Sequence, residues 1–115
     1  KRITLCGDGK QVRDLLHISD LVDAFHLAYK QIHRAAGEVF NIGGGADRAL
    51  SVLELIDLVE EKTCRKADLA YEDWRQGDQR FYCSDTSKAK RIFQWEPKIM
   101  PEEGLDQVLE WCGKQ

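Results

Sequence analysis

Two polar segments, each carrying an arginine and each leading into a helix start, constrain the fold of this 115-residue chain. The first segment spans residues 7–20 and contains Arg13, and the second spans residues 73–85 and contains Arg80. Gly7-Asp8-Gly9 in the first segment predicts a turn, because glycine permits positive φ and aspartate tolerates turn geometry. The pattern predicts short strands and polar loops that lead into helices, which is an α/β arrangement.

Four helices are predicted from apolar residues at helical spacing and from residues that begin or end helices. The first is expected to end near Ala36 and Gly37, since glycine commonly follows the last helical residue. The predicted start signals are, in order, Ser19, the capping box of Ser51 and Glu54, Asp85-Thr86-Ser87, and Pro101 at the first helical position.

Four short runs are predicted to be strands: Arg2–Cys6, Gln11–Leu16, Glu38–Ile42 and Asp68–Tyr71. They do not form a continuous series of strand, helix and strand, so a complete doubly wound sheet is not expected. The predicted fold is a small mixed α/β lobe with four helices and short strands that lacks a Rossmann half. We expect a single domain over residues 1–115, since this length suits one hydrophobic core.

Charge and cysteine usage exclude some classes of function. The formal net charge is -3, whereas nucleic-acid-binding domains are usually basic, and no apolar run is long enough to span a bilayer. The four cysteines form no Cys-x-x-Cys pair, so we expect no zinc site. We expect the thiols to be reduced, which indicates a cytoplasmic location. Lys1 leads directly into a strand pattern, so we expect this chain to be a piece of a longer protein.

Arg13 and Arg80 are the candidate binding residues. A guanidinium matches the oxygens of a phosphate with a two-pronged fork, so two arginines from separate loops could hold a diphosphate from two sides. The spacing alone leaves an alternative open. Arg13 beside Asp14, and Arg80 near Asp78, could instead form ordinary ion pairs at the surface.

Four motifs occur in order along the chain: Val12-Arg13-Asp14 with His17 and Asp20, Phe40-Asn41-Ile42-Gly43, Arg80 ahead of Asp85-Thr86-Ser87-Lys88-Ala89, and Trp95-Glu96-Pro97 with Glu103-Gly104-Leu105. This order resembles the C-terminal part of extended short-chain dehydrogenase/reductase enzymes, the NAD-dependent nucleotide-sugar epimerases and dehydratases. The loop over residues 73–80, together with Gly43-Gly44-Gly45, is most similar to the CDP-paratose/CDP-tyvelose 2-epimerase branch of that family.

This resemblance implies that Arg13 and Arg80 contact the diphosphate of a nucleotide sugar. Gln11 and Gln79 flank the two arginines and could bond to sugar or phosphate, with solvent exposure as the equal alternative. Trp74 could stack on the base or close the pocket, or it could belong to a satellite core.

The resemblance also implies catalytic and cofactor-binding motifs, and this sequence lacks them. Its catalysis uses a Tyr-x-x-x-Lys pair and an NAD bound on a glycine-rich Rossmann turn, but no tyrosine here is followed by lysine four residues later. Gly43-Gly44-Gly45 does not complete a dinucleotide fingerprint, because Arg48 stands where the third glycine would fall, so it is interpreted as a strand-to-helix turn. We therefore expect no catalytic residue and no cofactor or metal bound by this chain, with NAD implied for the full-length enzyme.

The prediction that follows is a nucleotide-sugar-binding lobe of an NAD-dependent epimerase or dehydratase, inactive alone. The alternative is a stand-alone binding or dimerisation module derived from such an enzyme. The expected partners are a nucleoside diphosphate sugar and either the missing Rossmann domain or a second copy of the chain. An independent enzyme is disfavoured, because the sequence shows no nucleophile–base pair and no metal-ligand set.

Overall fold

Short strands alternate with helices along the chain in a computed structural model, which describes residues 2–114. The predicted fold class, a small mixed α/β lobe, is confirmed. The elements are β1 (Ile3–Cys6), β2 (Val12–Asp14), α1 (Ile18–Lys30), α2 (Ile32–Ala35), a 3-10 turn (Ala46–Arg48), β3 (Ala49–Ser51), α3 (Val52–Thr63), β4 (Leu69–Glu72), α4 (Ser87–Phe93) and α5 (Pro101–Gly113).

The strands form two separate pairs. β1 and β4 are parallel, with Ile3 opposite Leu69, and β2 and β3 are antiparallel, with Arg13 opposite Leu50. A further parallel bridge joins Val12 to Phe81. β2 therefore lies between β3 and residues 80–82 of the second polar segment.

The core lies where α1, α2 and α4 meet the C-terminal tryptophan motif. Trp95 and Phe93 are almost fully buried, and the ring of Phe40 meets that of Phe93 edge to face at 4.9 Å between centroids. The indole of Trp95 donates a hydrogen bond to the carbonyl of Asp20 at 2.9 Å. The buried Asp20 carboxylate accepts hydrogen bonds from the amides of Lys98 and Ile99, so it fastens the start of α1 to the segment before α5.

The first helix differs from its prediction in both its cap and its length. His17, rather than Ser19, caps α1, because the amide of Ser19 donates to Nδ1 of His17 at 3.3 Å. The backbone at Gln31 (φ -105°, ψ 28°) leaves the helical region and separates α1 from α2. Residues 2–114 consequently contain five α-helices, where four were predicted. The other three helices begin as predicted, with the capping box of Ser51 and Glu54 formed in full.

The predicted strand Glu38–Ile42 is wrong as a strand, although its side chains alternate as in one. Phe40 and Ile42 are half-buried while Val39 and Asn41 are exposed. A strand also needs a hydrogen-bonded neighbour, and within residues 2–114 no other strand pairs with this segment. β3 was not predicted, because its three residues, directly ahead of the α3 cap, are too few to show a period.

Candidate functional site

β2 brings the two arginine-containing segments together through backbone hydrogen bonds. The amide of Val12 donates to the carbonyl of Arg80 at 2.9 Å, and the amide of Tyr82 donates to the carbonyl of Val12 at 3.1 Å. Residues 80–82 therefore run alongside β2. Because successive side chains of a strand point to opposite faces, this register directs Arg13 and Arg80 to the face opposite Val12 and Phe81.

Arg13 forms an ion pair, but with a different partner from the one its sequence neighbours indicate. Nη2 donates to Oδ1 of Asp78 at 3.0 Å, and Nη1 donates to the carbonyl of Val12 at 2.8 Å. The Arg13 side chain is 35% exposed. Asp78 thus fixes the orientation of the guanidinium while leaving about a third of the side chain open to solvent.

Arg80 lies over the indole of Trp74, with 5.2 Å between the guanidinium carbon and the ring centroid. Trp74 is half-buried and packs on Gly7, where an added Cβ would lie 2.6 Å from Cε2 of the indole. Among the ion pairs that residues 2–114 form, none includes Arg80. The alternative pair of Arg80 with Asp78 is therefore not formed, and the stacked guanidinium carries an uncompensated positive charge.

The two glutamines have different surroundings. Nε2 of Gln11 donates to the carbonyl of Cys6 at 3.0 Å, whereas its Oε1 is buried and has no hydrogen-bond partner within the described part of the chain. Gln79 is exposed. The structure therefore brings Gln11, Arg13, Trp74 and Arg80 around the end of β1 and the start of β2, and leaves Gln79 at the rim.

Two further charged residues of the second loop were missed by the sequence interpretation. Asp78 was considered only as a neighbour of Arg80, yet it holds Arg13. Arg75 donates from Nε to the sulfur of Cys6 at 3.2 Å, which ties the loop to the end of β1. Both residues lie in the same polar run as Arg80, so the density of charge in that run was the signal that could have identified them.

Asp14 joins three segments behind the arginine site. Its Oδ2 accepts hydrogen bonds from the amides of Gly45 and Ser84, each at 3.0 Å. Burial raises the pKa of this carboxyl, but the amides of Gly45 and Ser84 outweigh that effect, and the pKa of Asp14 is lowered overall. Asp14 therefore acts as an anionic anchor and is not free to pair with Arg13.

Two of the three glycines in the turn are closely packed. A Cβ added to Gly43 would lie 2.1 Å from Oγ of Ser84, and one added to Gly44 would lie 1.9 Å from the carbonyl oxygen of Leu15. These two positions therefore accept no larger residue without a shift of their neighbours. Arg48 fastens the same turn by donating to the carbonyls of Pro97 and Ile99, at 2.8 Å and 2.9 Å.

Neither the histidines nor the acidic residues of the described range form a metal centre. His17 caps α1, and His26 and His33 are exposed. Residues 2–114 contain no group of three or more His, Cys, Asp or Glu side chains placed to hold a metal ion. No helix within that range combines the length and apolarity needed to cross a bilayer.

Comparison with known proteins identifies relatives that are about three times as long as this chain. Residues 1–108 match the family model described as GDP-mannose 4,6 dehydratase. The CDP-paratose 2-epimerase of Salmonella typhi is 34% identical over 115 aligned residues, which cover 98% of this chain and 33% of the relative. The UDP-glucuronate 4-epimerase of Thermodesulfobacterium geofontis is 33% identical and is likewise covered over 33% of its length.

Solved structures of nucleotide-sugar epimerases are also similar to this chain. The UDP-glucuronic acid 4-epimerase from Bacillus cereus, in complex with UDP-glucuronic acid and NAD, has a TM-score of 0.89 at 28% identity, with 99% of this chain and 36% of that chain covered. The UDP-glucose 4-epimerase from Thermotoga maritima, solved with UDP-glucose, has a TM-score of 0.86 at 37% identity, with 99% and 35% covered. The predicted resemblance is confirmed, and a CDP-paratose 2-epimerase is among the relatives.

Proposed function

Because this chain belongs to the family that the GDP-mannose 4,6 dehydratase model describes, we propose that it is the lobe that binds the nucleoside diphosphate part of a nucleotide sugar. The observation that carries the proposal is the pairing of β2 with residues 80–82. It places Arg13 and Arg80 on one face of neighbouring extended segments. A diphosphate lying across that face would meet a guanidinium on each side.

The two arginines are prepared for this role in different ways. Asp78 holds Arg13 by a 3.0 Å ion pair, so little side-chain entropy remains to be lost when an anion binds. The indole of Trp74 holds the guanidinium of Arg80 by a cation–π contact, which leaves the N–H groups of Arg80 free to donate hydrogen bonds. The diphosphate would share Arg13 with Asp78 and take the uncompensated charge of Arg80.

Of the remaining predicted site residues, Gln11 and Trp74 would contact the nucleoside or sugar, and Gln79 lies at the rim of the site. Oε1 of Gln11 is a buried acceptor without a partner in the described range, and a hydroxyl or amine of the ligand would satisfy it. The outer edge of Trp74 offers an apolar surface to a base or sugar. Gln79 is exposed at the rim and would contact the ligand only at its periphery.

The chemistry of the parent reaction would come from the two-thirds of the relatives that this chain does not match. NAD occurs in the solved complex of the Bacillus cereus epimerase, and Gly43-Gly44-Gly45 in this chain does not complete the dinucleotide fingerprint, because Arg48 stands in place of the third glycine. We accordingly expect the chain to bind its ligand without turning it over, as the C-terminal lobe of a longer enzyme. Its four cysteines are all free thiols in this structure, which suits a reducing cytoplasm.

Isothermal titration with CDP, UDP, GDP and dTDP tests this function. Arg13→Ala and Arg80→Ala each remove a charge-assisted hydrogen bond worth about 1.5–3 kcal/mol, so each should raise the dissociation constant for the preferred nucleotide about 10- to 100-fold. Arg65→Ala is the matched control, since Arg65 is an exposed arginine just beyond the end of α3. Equal affinities in the wild type, Arg13→Ala and Arg80→Ala would overturn the proposal.

A further inference from the structure

We draw no further inference here: the strongest candidate, the apolar cleft that Leu16, Leu55, Met100, Leu105 and Val108 line between α3 and α5, carries none because nothing in the structure shows what covers it.

Discussion

At the scale of a single residue, the charge of Asp14 stabilises contacts between distant segments of the fold. Asp14 follows Arg13 directly in the sequence. Its carboxylate does not pair with the arginine and instead accepts hydrogen bonds from the amides of Gly45 and Ser84. It thereby connects β2 with the glycine turn and with the start of the segment that leads into α4. Arg13 is left to pair with Asp78 across the site.

Replacing Asp14 should destabilise the protein in a pH-dependent way. Asp14→Ala leaves two amides without an acceptor and should lower the free energy of unfolding by about 2–3 kcal/mol at pH 7. The pKa of Asp14 lies below its ordinary value of 3.8 in the folded state. Its contribution is therefore complete above the unfolded-state pKa and is lost as the pH falls through the lower folded-state pKa.

Urea denaturation between pH 7 and pH 3 measures this contribution. The difference between the wild type and Asp14→Ala should be constant near neutral pH and should shrink as the medium becomes acidic. Asp47→Ala serves as the control, because Asp47 is an exposed carboxylate on the neighbouring 3-10 turn. A difference that persists unchanged at pH 3 would show that the charge of Asp14 is not what stabilises the fold.

At the scale of elements, the signals that lie close together in sequence predicted the structure well. The Ser51–Glu54 box and Pro101 each depend on atoms within one turn of helix, and both helices begin where these residues indicate. Glu38–Ile42 failed because a strand depends on a neighbour, and within residues 2–114 this segment has none. The predicted cap at Ser19 failed because His17, two residues earlier, supplies the acceptor instead.

The residues of the candidate site were chosen from the sequence, and their role in binding stays a prediction; their contacts were not predicted. Family motifs and guanidinium chemistry identified Arg13 and Arg80 from the sequence. Their partners could not be identified in this way, because the Arg13–Asp78 pair and the Arg80–Trp74 contact depend on how the second loop folds against β2. The interval between the two arginines carries no information about that fold.

The glycine turn gives a prediction at the same scale. If the turn packs closely against the backbone at Leu15, Gly44→Ala should be severely destabilising, because the added Cβ would overlap the carbonyl oxygen of Leu15. We expect the melting temperature to fall by about 10 °C or more. Gly113→Ala should change it by only a few degrees, because no atom lies within 4 Å of the added Cβ. Equal melting temperatures for the two variants would contradict the packing described here.

At the scale of the whole molecule, the candidate site lies on one surface of the lobe. That surface surrounds β2 and carries Arg13 and Arg80. The chain spans about a third of the length of the curated relatives it matches. This fits the proposal that the lobe binds the ligand while another part of a longer enzyme performs the chemistry.

The most direct test of that account is the ratio of the dissociation constants of cytidine and CDP for the wild-type chain, measured by calorimetry at low salt. If both arginines bind the diphosphate, CDP should bind at least about 100-fold more tightly than cytidine, because each charge-assisted hydrogen bond contributes about 10- to 100-fold. The ratio should approach one when Arg13 and Arg80 are both changed to alanine. UDP with uridine and GDP with guanosine repeat the test for other bases. Equal affinities for nucleoside and nucleoside diphosphate in every pair would contradict the account.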